Sequence, residues 1–200
     1  MLSDKDVFIK IKTRLEFDVG GLINLVREKD TKEEYVPPFL SFLRMLFPVA
    51  ESIGKLLYDK NSSQNLYNIL HNDLALYNEN YAKVAGIIVI LFRHSIIHID
   101  VIPILTIGDT TIRWALAFGG GDNHLELLNL NTQHPLVVQF NVEQFYKDLI
   151  VLLEEKSRLN FNGDIEKRYK KWFGSSIDKT NDFRYINKKA IEEITALNNK

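Results

Sequence analysis

The 200-residue chain contains no cysteine. A disulfide scaffold, a thiol nucleophile and a cysteine-ligated zinc site are therefore excluded. Charge of one sign is lacking as well: 25 Lys and Arg stand against 26 Asp and Glu, a formal net charge of −1. A protein that coats nucleic acid with its whole surface is far more basic. Any nucleic-acid contact must come from a local patch. Long hydrophobic runs are absent too, since the longest, VAGIIVILF at 84–92, is too short to span a bilayer as a helix. The opening MLSDKDVFIKIKTRLEF alternates charged with apolar residues and has no secretory hydrophobic core. From these absences we expect a cytoplasmic protein with no membrane partner.

What is present is enough apolar material for a core: 46% of residues are hydrophobic. The length suits one domain with a small appendage. Apolar residues at helical spacing predict a helix over about 4–28, capped by Ser3 or Asp4 and weakened where Gly20 and Gly21 adjoin. REKDTKEEYVPP closes that unit. A second helix is expected from about Pro38 to Tyr58, bent at Pro48, and a short one from Ser62 or Ser63. A third long helix is expected from about Leu76 to Ile99, its second half nearly all apolar and so central to a bundle. After Asp100 the period becomes alternating. VIPILTIGDTTIRWALAF, HLELLNL and PLVVQF predict a small antiparallel sheet at about 101–140. Helix resumes at NVEQFYKDLIVLLEEKSR, with Asn141 as N-cap and Gln144 at the capping-box position. Two short helices, GDIEKRYKKWF and NKKAIEEITAL, are expected in the tail. The fold class is mainly α, with a domain at 1–158 that carries the β insertion and a C-terminal helical extension at 159–200.

The chemistry-bearing stretch is LFRHSIIHID at 91–100. It places Arg93, His94, Ser95 and His98 at the C-terminal end of the most apolar helix. Arg93 and His98 are five residues apart, which on a regular helix turns them about 140° away from each other. His94 and His98 share a face. Three readings follow. The residues can be the polar end of a buried helix, with Arg93 neutralising its C-terminus. The two histidines can ligate a metal, but position 95 is serine where a zinc protease motif has glutamate, and a third ligand must come from His71, His124, His134 or a carboxylate. Or the arginine and histidine act on phosphate.

RHSIIH resembles the signature of the HEPN domain, R-x4-6-H with a polar residue after the arginine, matched at Arg93, His94 and His98. The resemblance covers the helices from about 35 to 158. It implies a four- or five-helix bundle, frequently dimeric, that acts as a metal-independent endoribonuclease in toxin–antitoxin or antiviral systems. Members that have lost catalysis bind nucleotides, RNA or proteins. The residue types suit the chemistry. Histidine can serve as acid or base near neutral pH, and arginine stays charged and matches phosphate oxygens. The resemblance assigns His98 acid–base work, Arg93 the phosphate and His94 a supporting role, with Ser95 assisting. It implies neither metal nor cofactor. It also implies a two-fold dimer in which each site draws on both chains.

Three further features carry alternatives. FGGGDN has the glycine content of a phosphate loop but no G-K-[ST], and a hairpin turn suits it better. Glu51 could orient His98 or Arg93, or be solvated. EKRYKKWF at 166–173 offers Lys167, Arg168, Lys170 and Lys171 beside aromatic residues, an RNA-binding mixture or a snorkelling helix face. The expected activity is RNA cleavage through 2′-hydroxyl attack. The expected partners are RNA, a second copy of the chain and an antitoxin or regulatory protein. The alternative is a HEPN-like module that binds nucleotide, RNA or protein without cleaving.

Overall fold

The computed structural model describes residues 3–29, 39–93, 104–107, 110–119, 123–129 and 136–173. The chain is mainly helical, with one small sheet. α1 (Asp4–Leu15) and α2 (Gly21–Lys29) form one run joined by a π-helical turn at Glu16–Gly20. The weak point expected at Gly20 and Gly21 is thus a widened turn rather than a break. Ser3 caps α1: its hydroxyl accepts from the Asp6 N–H while Asp6 accepts from the Ser3 N–H at 2.8 Å. Asp4 therefore has its carboxylate free for another helix.

α3 (Phe39–Tyr58) runs through Pro48 without interruption and is the axis of the core. Phe42, Leu43, Leu46, Phe47, Ala50, Ile53 and Leu56 are all buried. α4 (Ser62–Asn68) starts at Ser62 as expected, with Asn61 as the cap, whose side chain accepts from the Gln64 N–H at 2.9 Å. A π turn (Ile69–Asp73) and a 3-10 turn (Leu74–Leu76) follow. α3 and α4 touch backbone to backbone. A Cβ on Gly54 would sit 2.4 Å from the Asn65 carbonyl oxygen, so only glycine fits.

α5 (Asn80–Ile88) begins four residues after the expected start, since the 3-10 turn takes up Leu74–Leu76. It passes into a third π turn at Val89–Arg93. β1 (Leu105–Ile107), β2 (Thr110–Ala117), β3 (Leu127–Asn129) and β4 (Leu136–Asn141) lie in the order β1-β2-β4-β3. The expectation of an antiparallel sheet needs correction. The outer pairs are antiparallel, but the central pair, β2 with β4, is parallel, with Ile112 opposite Leu136 and Leu116 opposite Phe140. Reading each turn as a hairpin to the next neighbour caused the error. β4 lies between β2 and β3, parallel to the first and antiparallel to the second. Leu125, two residues before β3, has φ +64, and its N–H donates to the Gln139 carbonyl of β4 at 2.6 Å.

β4 runs directly into α6 (Val142–Ser157), which packs Phe145, Leu149, Leu152 and Leu153 into the core beside α1 and α3. An aromatic cluster joins sheet to helices, with Phe140 5.2 Å from Phe145 and 5.9 Å from Phe47 between ring centroids. α7 (Asp164–Phe173) closes the described chain against α1 and α3. Its first turn is capped from far away: the Asp4 carboxylate accepts from the N–H groups of Gly163 at 2.7 Å and Glu166 at 2.8 Å. The helix expected at NKKAIEEITAL lies outside the described residues.

Candidate functional site

α5 presents Tyr81, Val84, Ala85 and Ile88 to the core, and Leu91 continues that buried face. An apolar helix of this kind needs a polar residue only where it ends. Its π turn ends on Arg93, the first residue of the motif. Single π turns inside α-helices are frequent at functional sites. His94, Ser95 and His98 lie outside the described residues, and so does the geometry between them and Arg93.

The remaining predicted residues fall on α3 and α7, which meet. Glu51, Ser52 and Lys55 line one side of a cavity of about 400 Å³, and Trp172 of α7 lines the other. The four predicted cations of α7 take different positions. Arg168 turns inward, and its Nη1 donates to the carbonyls of Leu56 and Leu57, each at 2.7 Å, at the end of α3. Those are orphan carbonyls of a helix C-terminus, and a guanidinium satisfies them with favourable charge. Lys167 lies 3.6 Å from Asp164, and Lys170 pairs with Glu166 on its own helix. Lys171 points toward α3, 3.9 Å from Asp59, with its ammonium 4.6 Å from the centre of the Trp172 ring. Lys55 approaches the same ring to 3.9 Å. Asp59 stands low in pKa because Lys55 donates to it and Lys171 is near.

A second polar arrangement escaped the sequence reading. His124 Nδ1 accepts the Asn141 N–H at 3.0 Å. Its Nε2 lies 2.8 Å from the Tyr81 hydroxyl, which donates to Asp148 at 2.7 Å. Gln144 donates to the other Asp148 oxygen at 2.7 Å. The directions are forced. Nδ1 is an acceptor, so the proton is on Nε2 and the ring donates to Tyr81. Burial pushes the His124 pKa down to about 3, raises that of Asp148 and holds Tyr81 well above its ordinary value. All three side chains are buried, Tyr81 completely. The relay fastens the segment at His124 to α5 and α6. Only Gln144 and Asp148, one helical turn apart, were visible as a pair in the sequence.

The relay also explains an incomplete capping box. Asn141 accepts from the Gln144 N–H at 3.0 Å as expected, but the Gln144 side chain goes to Asp148 rather than back to the cap. The Asn141 N–H is taken by His124 instead. Of the histidines named as possible metal ligands, His71 stacks on Tyr67 and lies 3.0 Å from Asn72, His124 belongs to the relay, and His134 lies outside the described residues. Among the described residues no group of three or more metal-ligating side chains gathers, and no helix is long and apolar enough to cross a membrane. FGGGDN is described at its first two residues and its last. Gly119 there has φ +93, and its carbonyl accepts from Asn141 at 2.7 Å. No family model, curated protein or solved structure matches this chain.

Proposed function

We propose that this chain is a HEPN-like, metal-independent endoribonuclease that works as a cytoplasmic homodimer in a toxin or antiviral role, under an antitoxin or regulatory protein. The observation that carries the reading is the sequence RHSIIH, whose first residue, Arg93, is the last described residue of a buried apolar helix. In this mechanism a His98 imidazole takes the proton of the ribose 2′-hydroxyl. The 2′-oxygen attacks phosphorus, and the bond to the 5′-oxygen breaks. The leaving oxygen takes a proton from a second, protonated imidazole, which His98 of a second copy supplies. Arg93 neutralises the charge that builds on the non-bridging oxygens. His94 and Ser95 support the arrangement. The products are a 2′,3′-cyclic phosphate and a 5′-hydroxyl.

The test is RNA cleavage in EDTA by wild type, Arg93→Ala and His98→Ala, with an all-deoxy strand as control. Wild type alone should cut, leave cyclic phosphate ends and spare the deoxy strand. Intact RNA across varied sequences with folded wild type would defeat the enzyme reading. Binding without cleavage, the second reading, draws support from Trp172, whose indole carries two ammonium groups and no group that moves protons.

A further inference from the structure

The indole of Trp172 is large and apolar, yet it is 43% exposed. It sits over the cavity lined by Glu51, Ser52, Lys55 and Lys60, with Lys55 3.9 Å and Lys171 4.6 Å from its centre. The two ammonium groups differ. Lys55 is fixed: it donates to the Lys60 carbonyl at 2.9 Å and lies 3.2 Å from Asp59. Lys171 is loosely held among the described residues, with the nearest carboxylate oxygen, that of Asp59, at 3.9 Å and its side chain 61% exposed. An ammonium has three donors, and those of Lys171 are available on the solvent side.

We propose that Trp172, Lys171 and Lys55 form a subsite for one nucleotide of a single-stranded nucleic acid. The base stacks on the indole and the adjoining phosphate takes the Lys171 ammonium, while Lys55 holds the ring in place and adds positive charge beside it. Aromatic side chains beside cations bind single strands in this way regardless of sequence, because every base has a π-face. An acidic peptide would engage the lysines but leave the indole uncovered. The subsite deepens the ribonuclease reading and rests on it only for the choice of nucleic acid as ligand. Nothing in it touches a 2′-hydroxyl, so it takes deoxy and ribo strands alike.

That indifference makes a clean test. A fluorescein-labelled all-deoxy ten-nucleotide strand is titrated with full-length protein, and its anisotropy is read over a range of salt. Trp172→Ala should weaken binding by about tenfold or more, and Trp172→Phe should retain most of it. Lys171→Ala should lower the slope of log affinity against log salt by roughly 0.7, the share of one phosphate contact on a single strand. Thermal unfolding checks each variant. If Trp172→Ala does not fold, the Phe variant and the Lys171 slope still decide. No binding by wild type, wild-type affinity in Trp172→Ala, or an unchanged salt slope in Lys171→Ala overturns the subsite. So does polyglutamate binding as tightly as the strand. RNA left intact while these expectations hold removes the ribonuclease reading and leaves the subsite standing.

Discussion

Acid should destabilise this protein through His124. The ring has no room for a second proton, because Nδ1 already accepts the Asn141 N–H at 3.0 Å and a proton there would set N–H against N–H. Burial pushes its pKa from 6.5 to about 3. Between those values the unfolded chain binds a proton that the folded chain refuses, so stability rises with pH across the window. It is fully present above about 6.5 and lost as pH falls toward 3. Each pH unit inside the window is worth about 1.4 kcal/mol, so a change from pH 7 to pH 5 removes about 2 kcal/mol. Asp148 works the other way. Its raised pKa adds stability at low pH that fades as pH climbs above the ordinary carboxylate value. Comparison with His124→Gln, whose amide can still donate to Tyr81, separates the two. Urea unfolding at pH 7 and pH 5 should show wild type losing about 2 kcal/mol more than the variant. Equal losses, or a His124 ring that titrates near 6.5 by NMR, would refute the argument.

Two substitutions test the contacts that position the sheet and helices. Gly54→Ala puts a Cβ 2.4 Å from the Asn65 carbonyl oxygen, which is backbone and cannot swing aside. Urea unfolding should record a loss of about 1–3 kcal/mol, and a neutral result would mean that α3 and α4 do not meet as described. Asn141→Ala removes the cap of α6 and the donor to the Gly119 carbonyl together. It should cost about 2 kcal/mol, one for the cap and one for the abandoned carbonyl. Asn141→Asp, which keeps the cap but not the donor, should lose about half of that.

Much of the helical plan was legible because burial on one face writes a period into the sequence. α3 and α6 follow that period, and the Asn141 cap has its usual side chain. The π turns were not legible. Each widens the helix without a characteristic residue, as at Ile69–Asp73 and Val89–Arg93, and the 140° between Arg93 and His98 assumes a regular helix. The strands were legible by alternation, but their order was not. Alternation records which side chains face inward and says nothing about which neighbour a strand meets. His124 was invisible for a related reason, since its partners come from Tyr81, Asn141 and Asp148 through tertiary packing. For the motif at 93–98 the residue types were readable, whereas a site shared between helices or copies is not encoded in spacing.

The basic segment of α7 shows why composition alone misreads a patch. Lys167, Arg168, Lys170 and Lys171 carry the same sign within five positions, yet they take different partners: Lys167 Asp164, Lys170 Glu166, Lys171 the neighbourhood of Asp59, and Arg168 backbone carbonyls. Arg168 faces inward and completes the end of α3 through the Leu56 and Leu57 carbonyls. Trp172 follows it by four residues, so it lies one turn along the same face and is carried to Lys55, the residue before Leu56. The guanidinium that gives up any contact with a ligand thus fixes where the indole stands. A platform fixed in this way loses little freedom when a base stacks on it, which favours binding. In the proposed subsite the phosphate falls to Lys171, the cation of this set that reaches the ring from α7. On the proposed subsite the patch binds through Lys171 while Arg168 holds the fold together, and a charge-reversal scan across all four cations would confuse the two effects.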